Sequence, residues 1–282
     1  MVEVLKTGFC DTIQDLGRIG YQAYGVPFSG AMDFYSASLA NRILGNDNNA
    51  AVIESVMFGP KLRFSIATEI CITGAYMNPM LNSEVVKHNV PISVEKGDVL
   101  QFGKLEYGFR VYVAVLGGFM TEEKMNSRSM YSAITSKLKL SKGDTLECLS
   151  KTSINHKPLS SVKINKKHFS HNEFEVFKGP EFNQLSKQQQ DLLFDNTLTI
   201  SKDSNRMAYQ FEDRITHELG GIITSLVLPG TVQLTPSGQL LILMRDCQTT
   251  GGYPRILQLT ESSINRLSQQ IFGKKIRFKC II

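Results

Sequence analysis

Apolar residues along this chain gather in short, β-branched and aromatic runs separated by glycine-bearing turns. The runs at 51–55, 61–66, 69–73, 99–102, 109–116 and 240–244 predict strands. The motif Lys96-Gly97-Asp98-Val99-Leu100 recurs as Lys142-Gly143-Asp144-Thr145-Leu146. Each copy reads as a turn that launches a strand, with Gly at the strained position. The echo fits an internal duplication or a favoured hairpin solution equally well.

Helical periodicity is confined to three segments. Asp33 is placed to cap a helix over 34–44, with Tyr35, Leu39 and Ile43 on one face and Gly45 as its stop. Ser186 caps a short helix through 193, and Thr260 caps one over 261–272 that aligns Ile264, Leu267 and Ile271. Few helices among many strands predict a mainly β architecture of barrel-like domains. Between 150 and 172 the composition shifts to five lysines and no acidic residue. That shift predicts a basic linker or excursion at 151–172, between β-barrel domains at 1–150 and 173–282. His168 and His171 form an H-x-x-H there. With no third ligand evident, they are expected to be a solvated pair, and no metal site is expected.

Composition narrows the function classes. The 282 residues suffice for a sizeable core, and a net charge of +5 is mild. No basic-aromatic constellation argues for nucleic acid. The cysteines Cys10, Cys71, Cys148, Cys247 and Cys280 are scattered, odd in number and never paired as C-x-x-C, which fits reduced thiols in a cytoplasmic protein. Cys247 has no histidine near it in sequence and reads as a packed thiol. No signal peptide is legible in residues 1–7, and the apolar stretch 111–120 is too short to span a bilayer, so no membrane role is expected.

Candidate chemistry gathers at three places. Gln248-Thr249-Thr250-Gly251-Gly252-Tyr253-Pro254 follows the strand at 240–244. It puts an amide, two hydroxyls and two glycines into one loop, which suits the binding of a small molecule. Asp246 stands at its entrance. The second place is Gly25-Val26-Pro27-Phe28-Ser29-Gly30-Ala31-Met32-Asp33, leading into the first helix. There Ser29 and the unpaired amides of the helix start can accept an anion, or Ser29 and Asp33 merely cap the helix. In the third, Ser204-Asn205-Arg206-Met207, Arg206 either clamps a carboxylate or phosphate or makes a surface ion pair.

Taken in order, GVPFSGAMD at 25–33, LANRILGN at 39–46, FGPKLRF at 58–64, ITGA at 72–75, NRM at 205–207 and QTTGGYP at 248–254 resemble the biotin-dependent carboxyltransferase family. That family contains the C component of bacterial 5-oxoprolinase, also labelled allophanate hydrolase subunit 2. The resemblance runs from the start of the chain to the last helix and is weakest between 120 and 172. It implies cyclophilin-like β-barrel domains, a cyclophilin-like B-type partner and a third subunit of the oxoprolinase complex. It also implies a hydrolase, active only in that hetero-oligomer, which opens the 5-oxoproline lactam to glutamate. ATP, with magnesium, is then held here or shared with a partner.

On this reading Gln248, Thr249, Thr250, Gly251, Gly252 and Tyr253 bind the amide or carboxylate, and Arg206 neutralises a carboxylate or phosphate. Ser29 with Gly30 cradles an oxyanion, while Asp33 and Asp246 are the acid-base or orienting groups. The resemblance also carries two alternatives. One is a biotin-dependent carboxyltransferase component acting on urea or a related amide, with biotin on another chain. The other is a non-enzymatic regulator of a sporulation-type kinase. The chain departs from the family pattern of Ser-Asp-Arg-Met-Gly at Ser204-Asn205-Arg206-Met207-Ala208, which puts any role for a charge at Asn205 in question.

Overall fold

Three strands of the first half, Val52–Val56, Thr68–Tyr76 and Tyr107–Val115, are rich in apolar residues and buried along most of their length because both of their faces are covered. Ile53, Ile70, Ile72, Val111 and Val113 pack into one core with Val2, Val4, Leu62, Phe64 and Leu100. Their neighbours Val52, Cys71, Tyr112 and Ala114 pack the other way, with Ala37, Ala40 and Leu44 of the helix Phe34–Leu44. The alternation is the period of two that a pleated strand imposes.

The structure is a computed structural model that describes residues 1–150, 162 and 164–281. It divides into two compact units, Met1–Arg18 with Ser29–Ser170 and Ile19–Phe28 with His171–Ile282. In the first unit a five-stranded antiparallel sheet runs in the order Cys10–Gln14, Val52–Val56, Tyr107–Val115, Thr68–Tyr76, Ile92–Val94. A six-stranded antiparallel sheet runs Thr145–Leu146, Val2–Lys6, Lys61–Phe64, Val99–Phe102, Pro79–Leu81, Glu84–Val85.

The repeated Lys-Gly-Asp turn acts as one device used twice in that second sheet. Phe64 N donates to Asp98 O and Gly97 N to Phe64 O, just as Val4 N donates to Asp144 O and Gly143 N to Val4 O. Each aspartate also accepts the amide three residues before it, Glu95 N at 2.8 Å and Ser141 N at 2.9 Å. Both glycines take the left-handed φ the turn requires, 100° and 89°.

In the second unit seven strands follow the order Leu198–Thr199, Lys275–Cys280, Glu173–Lys178, Arg255–Leu259, Thr231–Leu234, Gln239–Leu243, Ala208–Arg214. The bridge Ile200↔Phe211 joins its two outer edges, so the sheet nearly closes into a barrel. The mainly β, barrel-based architecture with a few short helices is thus the one expected from the sequence.

The helices at 34–44 and after Ser186 are present, the latter with a full capping box. The third helix is shorter than expected, Glu261–Leu267. The Ser268 hydroxyl bonds back to Asn265 O at 2.7 Å and the backbone leaves the helix there. Of the expected linker at 151–172, residues 151–161 and 163 lie outside the described residues. Its end forms a short helix, Lys167–Ser170, that belongs to the first unit and buries Phe169. No helix among the described residues is long and apolar enough to cross a membrane.

Candidate functional site

In the first unit the approach to the helix Phe34–Leu44 is a chain of satisfied amides. Ser29 takes a left-handed φ of 56° and Gly30 one of 89°. Gly30 is required by space as well, since a Cβ there would sit 2.9 Å from Gly17 N. Ala31 N donates to Asp15 O at 2.8 Å, Met32 N to Glu54 Oε2 at 2.7 Å, and Asp33 N to Tyr112 Oη at 2.9 Å. Tyr112 in turn donates to Glu54 Oε2 at 2.8 Å, and the Arg110 guanidinium lies 3.7 Å from Glu54 Oε1. Burial, and then the Glu54 carboxylate, push the Tyr112 phenol well above its usual range.

This corrects the expectation of an anion at the helix start. The protein's own carboxylates already occupy it: Glu54 holds Met32 N, and Asp33 accepts Ser36 N at 3.1 Å and Ser36 Oγ at 2.6 Å. Asp33 is the helix cap and is fully buried. The Ser29 hydroxyl is buried with no hydrogen-bond partner among the described residues.

His168 is likewise not a solvated histidine. Its Nε2 lies 2.8 Å from Asp33 Oδ2, its ring packs 4.9 Å from Tyr35 and 5.0 Å from Phe169, and little of it meets solvent. The short helix that carries it could not be read from a lysine-rich stretch. His171 sits in the second unit and is spent on the backbone of Glu173. Among the described residues no group of three or more His, Cys, Asp or Glu could hold a metal ion.

A second buried cluster of the first unit escaped the sequence reading. Asp15 Oδ1 accepts Gly17 N, Ser127 Oγ and Ser129 Oγ at 2.8, 2.7 and 2.6 Å, and Oδ2 accepts Arg128 N at 2.6 Å. The fully buried Arg18 donates to Ser129 O. Its signal was Asp15-Leu16-Gly17-Arg18 at the end of a strand, with Ser127-Arg128-Ser129 far along the chain. Neither segment names the other.

In the second unit Arg206 and Asp246 are each other's partners, with Nε–Oδ2 at 2.7 Å and Nη2–Oδ1 at 3.1 Å. Asn205 Oδ1 accepts Met207 N at 2.8 Å and Ala208 N at 3.2 Å. The position therefore needs an acceptor oxygen, which an amide supplies as well as a carboxylate.

The glycine-bearing segment is more ordered than a simple loop. Thr250–Gly251 pairs antiparallel with Ser225–Leu226, flanked by Val227 N to Thr249 O at 3.1 Å and Ile222 N to Gly252 O at 2.9 Å. Thr250, Gly252 and Tyr253 face solvent, while Gln248 and Thr249 are half-buried. A Cβ on Gly251 would meet Gln233 Nε2 at 2.5 Å, so the Gln233 carboxamide packs directly against the glycine. Gln233 is fully buried and donates weakly to Tyr253 O at 3.4 Å. The carboxamide oxygens of Gln233 and Gln248 are both buried without a hydrogen-bond partner among the described residues. Buried acceptors left in this state favour a donor that arrives with a ligand. Beside them Arg255 and Glu181 make a bidentate pair that holds the Glu181 carboxyl below its ordinary range.

Ser29, Gly30 and Asp33 thus belong to one unit, and Arg206, Asp246, Gln248, Thr249, Thr250, Gly251, Gly252 and Tyr253 to the other. Cys247 is buried, and its thiol is pushed up to about 12, chiefly by that burial, so it is a packing residue.

Residues 24–280 match the family described as "Carboxyltransferase domain, subdomain A and B". The sequence is 31% identical to the C component of 5-oxoprolinase from Haemophilus influenzae, across 100% of this chain and 91% of that protein. It is 30% identical to the Escherichia coli protein of the same name, across 99% and 90%. Against urea amidolyase of Lachancea kluyveri the identity is 45%, but over 46% of this chain and only 7% of that protein. Among solved structures, Kluyveromyces lactis urea amidolyase superposes with a TM-score of 0.86 at 27% identity, covering 98% of this chain and 18% of that one. TTHA0988 shares the fold, with a TM-score of 0.80 at 24% identity over 55% of its length.

Proposed function

The chain belongs to the family of carboxyltransferase domains of subdomain A and B type, and on that ground we propose that it is the C-type component of an ATP-dependent 5-oxoprolinase. The observation that carries this reading is coextension. Its similarity to the two 5-oxoprolinase C components covers 91% and 90% of their lengths, whereas it covers a small fraction of urea amidolyase.

The second unit supports a small cyclic amide as substrate. A lactam offers an N–H donor and a carbonyl acceptor in one plane, and the unpaired oxygens of Gln248 and Gln233 suit the donor. Gly252, exposed and with no atom nearer than 3.6 Å to a Cβ built on it, lets the ligand approach the backbone, with Thr249, Thr250 and Tyr253 on its rim. Arg206, fixed in direction by Asp246, recognises the substrate carboxylate. ATP supplies the activation that a resonance-stabilised amide needs before water attacks it. The amides of Met32, Asp33 and Ser36 at the helix start are already bonded within the protein, which argues against the phosphates at that point; the nucleotide is held elsewhere on this chain or shared with a partner.

The test is ADP release stimulated by 5-oxoproline, with this chain purified together with its partner chains and again with it omitted. Stimulation that needs this chain, and that Arg206→Ala lowers at least tenfold with assembly intact, supports the proposal. A well-assembled complex with no stimulation refutes it. The similarity to the urea amidolyases favours, as a second reading, carboxyl transfer from a biotin-bearing partner chain to urea or a related amide.

A further inference from the structure

The six-stranded sheet of the first unit ends in a cleft of about 500 Å³ whose chemistry no part of the proposed function uses. The strand Val2–Lys6 ends there, Lys61–Phe64 begins there, and Val99–Phe102 ends there, as antiparallel order demands. Along the first pair the register is Val2↔Phe64, Glu3↔Arg63, Val4↔Leu62, and then, after a bulge, Lys6↔Lys61. Side chains directly opposed on antiparallel strands share a face with Cβ atoms about 5 Å apart, and like charges there repel. The contrast within one ladder is sharp. Glu3 and Arg63 are opposite in sign and bonded at 2.6 Å, whereas Lys6 and Lys61 have no ion-pair partner among the described residues. Without the bulge Leu5 would face Lys61. The bulge brings the second cation into place, the kind of re-aiming bulges perform beside binding sites.

The other walls are aromatic and preformed. Phe9 is 68% exposed and Phe58 54%, and both line the cleft with Phe102. Phe58 follows Met57, a non-glycine residue held at φ 60°, a conformation that costs on the order of 1 kcal/mol. The loops interlock at glycines: a Cβ on Gly8 would lie 1.8 Å from Phe58 O, and one on Gly59 2.2 Å from the Phe102 ring. Two opposed ammonium groups and solvent-facing phenyl rings, on rigid loops around one cavity, are each unfavourable in water and are jointly satisfied by one kind of ligand.

We propose that this cleft binds a planar aromatic or heteroaromatic ring bearing a carboxylate or phosphate, with the anionic head between Lys6 and Lys61 and the ring against Phe9 and Phe58. A mono- or dianion removes the repulsion across the ladder, and the ring covers the exposed faces. The site is independent of the lactam reading, since none of its residues has a part there.

The experiment is calorimetric titration of the full chain with benzoate, phenyl phosphate, inorganic phosphate and benzyl alcohol, with ligand contacts mapped by saturation-transfer NMR. Saturable binding of phenyl phosphate or benzoate, at least tenfold tighter than inorganic phosphate or benzyl alcohol, is expected, and the tighter of the two identifies the head group. Lys6→Gln and Lys61→Gln should each weaken binding about tenfold while keeping or raising the ligand-free Tm. Phe58→Ala should weaken the ring-bearing probes and leave inorganic phosphate unchanged. Lys96→Gln, at an exposed lysine outside the cleft, should change nothing. The proposal is overturned if neither ring-bearing anion binds, if the cleft lysine variants bind as tightly as the parent, if Lys96→Gln weakens binding equally, or if the Tm of either cleft lysine variant falls.

Discussion

Replacing His88 with phenylalanine should flatten the acid side of the stability profile, by an amount the structure sets. Both imidazole nitrogens of His88 are buried without a hydrogen-bond partner among the described residues, and the ring meets Tyr76 edge-on at 5.1 Å. Burial with nothing to stabilise the cation lowers its pKa from 6.5 to about 4. The folded chain therefore binds fewer protons than the unfolded chain between those values. Stability rises with pH across that window, is fully present above 6.5, and is lost as pH falls toward 4.

With 6.5 for the unfolded and about 4 for the folded state, lowering the pH from 7.5 to 5 costs about 2 kcal/mol through this residue alone. Urea unfolding followed by far-UV circular dichroism at several pH values measures it. The contributions of Asp11 and every other titrating group are common to both proteins and cancel in the difference. The parent should lose about 2 kcal/mol more than His88→Phe over that range. Parallel profiles would refute the reasoning, because a histidine that keeps its ordinary pKa contributes no such slope.

Three further outcomes follow from the same geometry. Glu54→Gln keeps the acceptor for Met32 N but removes the carboxylate charge 3.7 Å from the buried Arg110 guanidinium, and should cost about 3 kcal/mol in urea unfolding. The double variant with Arg110→Met should recover part of that loss, and no recovery would break the pairing argument. Asn205→Asp should change stability by less than about 0.5 kcal/mol and leave the turn intact, because only the acceptor oxygen is used; a large change in thermal unfolding would show that charge matters there. In thiol titration with an aromatic disulfide at pH 8, Cys71 and Cys247, both pushed up to about 12 by burial, should react only after denaturation, while Cys10, Cys148 and Cys280 are reached in the native protein.

Much of the fold was legible because its signals are local. Asp33 and Gly45 bracket a helix whose cap and stop bonds involve only neighbours, and the repeated Lys-Gly-Asp turn closes on its own aspartate. Strands buried on both faces announce themselves as apolar runs. Partnership across the chain was not legible. Glu54 and Arg110 sit within such runs as isolated polar letters, and only the register Tyr112↔Glu54 of their strands shows that they answer each other. The Gln248 segment could be singled out for its polar groups and glycines. Its pairing with Ser225–Leu226 depends on a stretch with little pattern of its own.

The same distinction separates structural from functional polar groups. Asp33, the acidic residue most conspicuous in sequence, has its oxygens committed to Ser36 and His168, so much of its character is explained by holding a helix start and a buried imidazole. The Gln248 oxygen, in the loop the sequence singled out for binding, is buried with no hydrogen-bond partner among the described residues. A fold that satisfies Asp15 four times over and Glu54 from a backbone amide and a phenol shows that it can supply donors where stability needs them. Where it leaves an amide oxygen without a donor, or sets two lysines face to face beside exposed rings, the missing partner is best sought outside the chain. A donor of small, planar chemistry suits the glutamines, and an anion on a ring suits the lysines.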